Sequence, residues 1–367
     1  MSLPKIRNGI CLEVNPAGCE RNTRAQIETA KNKPLANGPK SVLVLGCSGG
    51  YGLASRVTAA FSCNAQTLGV SFERAPEEGR DGTPGWYNNL AFDAAAREDA
   101  RPPHATLNAD AFSNATRDAV ASAAACHGFA PFDLVVYSLA SPIRTDPETG
   151  EVYRSVIKPI GEAHTTTTVD FMTGAVNPVT IPPATEEEIR ATVKVMGGED
   201  WLLWMRFLRA KNLLAPNAKT VAYSYIGPAR TQAIYRNGTL GKAKEDLEAT
   251  PAKIFAETNC AAYVSINKAL VTRASAVIPA MPPYIAALFQ VMKAKNLHEG
   301  CAEQMDRLFR ERLYTSGAVP VDNAGRIRLD DWEMRDDVQA EVAAMLAAGT
   351  MGDLAGYRED FLALHGF

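Results

Sequence analysis

Several protein classes are excluded by what this chain does not contain. Its seven cysteines (Cys11, Cys19, Cys47, Cys63, Cys126, Cys260 and Cys301) are odd in number, scattered, and never in CxxC or Cys/His ligand spacing. That argues against a disulfide framework and against structural zinc, and for a reduced, cytoplasmic setting with no bound metal. No charge of one sign dominates: the formal balance is −3, which gives no reason to expect a nucleic-acid partner. The opening MSLPKIRNGICLEV has no apolar core of a secretory signal. The most apolar later run, residues 277–292, is 16 residues long and interrupted by Pro279, Pro282 and Pro283, too short and too broken for a membrane span. Repeats and low-complexity segments are also missing.

What remains is a chain of 367 residues, 46% of them hydrophobic, enough for one large α/β core or two smaller ones. Residues 10–14 read as a short strand, residues 23–32 as an amphipathic helix, and Gly38-Pro39 as a linker. Lys40-SVLVLGCSGGYGLASRVTAAF then joins an apolar strand, a glycine-rich turn and an apolar helix. Gly46, Gly50 and Gly52 form GxxxGxG, with Gly49 between them. A tight turn of this kind lets backbone approach a pyrophosphate and aims the amides of a helix N-terminus at its charge. The strand before it and the helix after it supply the context that a glycine pattern alone lacks.

The second strand, Gln66-TLGVSF, ends at Glu73, 21 residues past Gly52. A dinucleotide fold places an acid there to accept the ribose hydroxyls and repel a 2′-phosphate, which favours NADH. Arg74 beside it has the charge to tolerate that phosphate, and a solvated surface acid is the alternative for Glu73. Residues 105–109 are a weaker third strand, with Asp110 placed either to approach the adenine or to cap the following helix. Phe132-DLVVYSLASP is the fourth, and its small exit residues Leu139-Ala140 suit close passage beside a ribose. The pattern predicts a Rossmann-like doubly wound parallel sheet in a single large domain, residues 1–367, with ligands at the strands' carboxyl ends.

Residues 143–218 depart from the βα repeat and read as a substrate-side insertion. It contains a two-stranded ribbon (165–171 and 176–181), a Thr185/Glu188 capping box, and an apolar helix from Asp200 whose Trp201 and Trp204 belong to a core. His164 reads as a turn or surface residue. Further on, residues 261–266 form a sixth strand, 278–292 a helix with prolines confined to its first turns, 301–313 another helix, 319–329 a hairpin and 335–348 a closing helix. Met281, Ile285, Leu288, Phe289 and Met292 stand as one stripe, either core packing or the wall of an acyl pocket.

The chemistry concentrates in TVAYSYIGPARTQAIYRNGTLGKAK, starting at Thr220. A buried strand emerges at Ile226-Gly227-Pro228, Tyr235 follows in a loop, and Thr239 opens a helix with Leu240, Ala243, Leu247 and Ile254 on its apolar stripe. Lys244 lies about 60° from the centre of that stripe and Lys242 about 140° away, so Lys244 faces inward. A phenol beside an inward ammonium suggests a proton donor with a cation that holds it and a cofactor in place. Short-chain carbonyl reductases also pair Tyr with Lys, but on one face of a single helix; here nine positions and two glycines separate them. A dinucleotide sensor without catalysis would keep the glycine turn and have no use for this pair.

YGLAS, TPGWYNNLAF, DLVVYSLASP, VKVMGGEDW, AYSYIGP, the Tyr235-x8-Lys244 spacing, KALVTRASAVIP and DDWEM together resemble the FabV-type trans-2-enoyl thioester reductases. The resemblance runs from about Lys5 to the end, although chains of that family continue beyond the position of Phe367. It implies NADH-dependent reduction of the C2=C3 bond of enoyl groups carried by acyl carrier protein or coenzyme A, in fatty-acid synthesis. By position it implies Tyr235 as proton donor, Lys244 at the nicotinamide ribose and Tyr225 at the substrate. For the cofactor lining it implies Gly46, Cys47, Ser48, Gly49, Gly50, Tyr51, Phe72, Glu73, Asp110, Ala111, Leu139, Ala140, Leu270, Val271 and Thr272. A single large domain of this kind is able to act as a monomer.

Overall fold

The computed structural model describes residues 4–7, 10–273, 275–278, 280–350 and 352–367. Its centre is a parallel sheet of β1 (Ser41–Leu45), β2 (Gln66–Ser71), β3 (His104–Asn108), β4 (Phe132–Tyr137), β5 (Leu214–Ser224), β6 (Ala261–Ile266) and β7 (Ile327–Arg328). The strand order across the sheet is 7-6-5-4-1-2-3. The doubly wound fold expected from the sequence is therefore present. β1 is buried at every residue, as a parallel strand covered on both faces must be. Its alternate side chains divide between two cores, Leu43 and Leu45 on one face and Val42 and Val44 on the other.

The α-helices of eight residues or more are α1 (Pro16–Lys31), α2 (Gly50–Val57), α3 (Pro84–Glu98), α4 (Asn114–Cys126), α5 (Glu186–Met196), α6 (Glu199–Ala210), α7 (Thr239–Thr258), α8 (Met281–Ala294), α9 (Cys301–Leu308), α10 (Asp336–Ala347) and α11 (Leu354–Ala363). On the Leu43 face α4, α6 and α7 contribute Val120, Trp204 and Leu247. On the other, α2 and α9 contribute Ala54 and Met305. A further cluster centred on α8 gathers Tyr225, Leu270, Val271, Val338, Tyr357 and Phe361 beside the sheet's carboxyl edge. That cluster walls the ligand edge.

Some boundaries differ from the sequence reading. The first strand is Ile10–Cys11 only, paired with Ile6–Arg7, and α1 starts earlier than expected because Asn15 caps it by accepting from the Gly18 amide. Residues 319–329 do not form a hairpin. Ile327–Arg328 instead pairs in parallel with Ser265–Ile266, and the Asp322 carboxylate turns the chain by accepting from the amides of Ala324 and Arg326. Pro282 and Pro283 sit at the start of α8, where a missing amide costs least; Pro279 lies outside the described residues. α11 had no counterpart in the sequence reading.

The residues 143–218 divide in two. The Thr185/Glu188 capping box starts α5, and the ribbon His164–Val169 with Val176–Ile181 packs towards the α8 cluster through Phe171. α6, by contrast, belongs to the main core. Trp201 Nε1 donates to Thr220 Oγ1 on β5, and Trp204 Nε1 donates to the Ala111 carbonyl after β3. Beneath them Arg117 of α4 meets Asp200 of α6 at 2.5 Å, and Tyr137 donates to the same carboxylate at 3.2 Å.

Candidate active site

One cavity of about 1140 Å³ runs along the carboxyl ends of the strands. It is lined from β1 by Gly46, Ser48, Gly49, Gly50 and Tyr51, from β2 by Phe72 and Glu73, from β3 by Asp110 and Ala111, and from β4 by Leu139 and Ala140. The other half is lined by Tyr225, Tyr235, Lys244, Leu270, Val271 and Thr272. Every residue that the sequence reading placed at the site therefore lines this cavity, except Cys47. The Cys47 side chain is buried beneath the turn, its Sγ near Asn89 Oδ1 at 3.7 Å, and its amide is given to the Val70 carbonyl. The reason is the break at Gly46: its φ of +88° ends the strand alternation that would have set Cys47 beside Leu43 and Leu45, and Cys47 turns instead into the core that Val42 and Val44 share.

The glycine turn is shaped for close packing at one end and open at the other. Gly46 has φ of +88°, and a Cβ there would stand 2.1 Å from the Ser138 carbonyl oxygen. Gly49 and Gly50 face open space, with nothing within 4 Å of a notional Cβ. No side chain caps the first turn of α2 among the described residues. Uncapped amides, an open approach and a helix dipole fit a pyrophosphate.

At the adenosine end, Glu73 is buried and accepts from Ser48 Oγ at 2.6 Å. Arg74 points away, to the Asp81 carbonyl at 3.2 Å. The guanidinium that reaches Glu73 is Arg273, at 3.2 Å, from the loop after β6. Phe72 is exposed at 77% beside this end, an apolar platform suited to an adenine face. Asp110 lines the cavity, and its Oδ1 accepts from the Phe112 amide in the turn ahead of α4, a helix that Ser113 caps instead.

At the other end Tyr235 sits in the turn between β5 and α7. The Gly238 and Gly241 amides both donate to its carbonyl, and a Cβ on Gly241 would meet the Arg236 carbonyl oxygen at 1.7 Å. Glycine there lets the turn fold back onto its own helix, which brings Tyr235 and Lys244 to one cavity. The insertion fixes this helix start: the Thr239 amide donates to the Lys158 carbonyl, and Thr239 Oγ1 to the Val156 carbonyl. Lys244 is buried and donates to the Tyr223 carbonyl at 3.2 Å, while Lys242 is exposed. Burial lowers Lys244 to a pKa of about 8. Burial pushes Tyr235 up from the ordinary tyrosine value. Its phenol stays neutral and has no hydrogen-bond partner among the described residues.

Tyr225 packs edge-on against Tyr235, ring centroids 5.0 Å apart. Its hydroxyl donates to Glu333 at 3.0 Å. Glu333 was not singled out in the sequence except as a letter of DDWEM. Lys268 was also missed; it is fully buried, lines the cavity with Nζ 4.6 Å from the Phe289 ring centroid, and is lowered to a pKa of about 8 by burial. Of the α8 stripe, Met281 and Phe289 line the cavity, whereas Ile285, Leu288 and Met292 are core. The insertion contributes Ile143, Thr145 and Met196, not the ribbon that starts at His164.

A doubly wound sheet, an open glycine turn under an uncapped helix, and a half-buried phenol and a buried lysine in the same cleft define a dinucleotide-dependent oxidoreductase. Residues 1–78 match the family model of the NAD(P)H binding domain of trans-2-enoyl-CoA reductase, and residues 80–314 that of its catalytic region. The chain belongs to the trans-2-enoyl-CoA reductase family. It is 53% identical over 377 residues to an enoyl-acyl-carrier-protein reductase (NADH) of Flavobacterium johnsoniae, covering 99% of this chain and 94% of that one. It is 54% identical over 378 residues to a trans-2-enoyl-CoA reductase (NADH) of Treponema denticola, covering 99% and 95%. The crystal structure of a Treponema denticola trans-2-enoyl-CoA reductase in complex with NAD superposes with a TM-score of 0.96 at 53% identity, covering 100% and 95% of the two chains.

Residues 321–367 match a model described as an enoyl reductase FAD binding domain. The residues present do not fit a flavin. Val338, Val342, Tyr357 and Phe361 pack into the α8 cluster, and among the described residues of this segment only Asp360, Ala363 and Leu364 reach the cavity. The Asp360 carboxyl would oppose a pyrophosphate there.

Proposed function

We propose that this protein reduces the C2=C3 double bond of trans-2-enoyl thioesters with NADH, giving saturated acyl thioesters for fatty-acid synthesis. The observation that carries the reading is the Tyr235 hydroxyl, without a hydrogen-bond partner among the described residues, in the same cleft as the open glycine turn and Lys244. NADH supplies a hydride to C3, and negative charge develops on the thioester oxygen. A neutral phenol aimed at that oxygen stabilises the enolate, and Tyr235 or a water relayed from it delivers the proton that ends on C2. Lys244 would hold the nicotinamide-side ribose, the open glycine turn and the α2 amides the pyrophosphate, and Glu73 the adenosine ribose, which selects NADH over NADPH.

The carrier is acyl carrier protein or coenzyme A, and relatives are named for each. All the residues assigned roles come from one chain, so a monomer is sufficient for the chemistry. The cysteines are free, which suits the cytoplasm. The test is the loss of NADH absorbance with crotonyl-CoA. Steady loss supports the reductase; saturable NADH binding without turnover on any enoyl chain refutes it. Comparing kcat/KM for one acyl chain on both carriers identifies the physiological one.

A further inference from the structure

Glu333 is a fully buried carboxylate that the reaction above does not use. Its Oε1 accepts from Tyr225 at 3.0 Å and from Tyr284 at 2.6 Å, and its Oε2 accepts from the Ala269 amide at 2.7 Å. These donors come from the end of β5, from α8 and from the loop after β6. Tyr225 and Ala269 line the cavity, whereas Tyr284 is core, 1% exposed. A carboxylate removed from water is costly even when fully hydrogen-bonded, and apolar packing would hold the same elements together at less cost. Its placement makes sense if the direction of these bonds matters. A phenol has one proton, and that of Tyr225 is committed to Glu333.

We propose that Glu333 is a positioning residue for thioester reduction. It fixes the Tyr225 ring against Tyr235 and anchors the 269–272 loop, so that Tyr235 is the phenol left free to donate to the substrate. The inference rests on the reductase reading, and it fails separately: if wild type shows no turnover the reading falls, whereas the variants below test Glu333 in an active enzyme.

The experiment is a double-mutant cycle of Glu333→Gln and Tyr225→Phe in the full chain, with Tyr284→Phe as the comparison. Glu333→Gln should lower kcat about tenfold, and in the Tyr225→Phe background it should change kcat by no more than about twofold, because both remove one coupled interaction. Tyr284→Phe takes a donor from the same carboxylate oxygen on the core side, so it should lower Tm and leave kcat within about twofold of wild type. Wild-type kcat in Glu333→Gln, multiplicative effects in the cycle, or an equal kcat loss in Tyr284→Phe and Tyr225→Phe would each overturn the proposal. Should the Gln variant not fold, Glu333→Asp, which keeps the charge and shortens the reach, completes the same cycle.

Discussion

The half-buried Tyr235 and the buried Lys244 carry the proposed chemistry, and each makes a different measurement informative. Removing a hydrogen-bond donor from a developing oxyanion typically lowers kcat by about two to three orders of magnitude. Tyr235→Phe should therefore lose that much turnover while its NADH dissociation constant stays near wild type; wild-type kcat would remove Tyr235 from the mechanism. Lys244 should show itself through pH. Its folded pKa of about 8 lies below the ordinary lysine value, so the unfolded chain holds the extra proton between the two. Burying the charge is therefore destabilising in full below pH 8, and stability rises with pH from there towards the ordinary value. Loss of the ammonium over the same window should weaken NADH binding above about pH 8. Lys268 shares both the cavity and the value, so the affinity limb should vanish in Lys244→Met and persist in Lys268→Met. An affinity in wild type that is flat across this window would count against the assignment. Tyr235 and Lys244 were legible because residue type, helical phase and spacing all bear on them. Glu333 was not, since its donors come from positions 49, 64 and 108 residues away, and no local pattern reports such a convergence.

At the scale of elements, legibility followed how much of the signal is local. β1, β2 and β4 are continuous apolar runs and were placed almost to the residue. β3 is only partly buried and reads weakly, as an edge strand should. The supposed hairpin at 319–329 shows the limit: alternation marks an extended segment but does not name its partner, and β7 found its partner in β6 instead. α11 spans under three turns, and Tyr357 and Phe361 are its only fully buried large apolar side chains, too little periodicity to stand out. The turn between β1 and α2 was legible, and its glycines have separable duties. Gly46→Ala combines a left-handed backbone with a contact 2.1 Å from the Ser138 carbonyl oxygen. It should cost about 1–3 kcal/mol of stability, seen as a lower Tm, and weaken NADH binding by shifting the turn. An unperturbed Tm and affinity would mean that the turn relaxes freely.

Across the whole molecule, the residues 143–218 are both insertion and scaffold: Trp201 and Trp204 of α6 lie in the main core, as their apolar helix suggested, while the ribbon is largely exposed. The Arg117–Asp200 pair is where α6 is bound to the sheet's own helices, and burial raises the Asp200 carboxyl to about 6 even beside the guanidinium. Removing one partner of a buried pair strands the other. Asp200→Asn should therefore lower the unfolding free energy by about 3–5 kcal/mol in urea titration, and a loss under about 1 kcal/mol would show that the pair is dispensable. The main core draws on both halves of the chain, with Leu43 and Leu68 of the cofactor half packed in one cluster with Trp204 and Leu247 of the substrate half.

The indole of Trp204 reaches through to the Ala111 carbonyl, whose residue forms part of the nucleotide cleft. A fluorophore is thus built into the wall behind the binding groove, hydrogen-bonded to it and screened from solvent. Because indole emission overlaps dihydronicotinamide absorption, occupancy of the groove should quench that light by energy transfer, which makes the protein its own label-free sensor of loading.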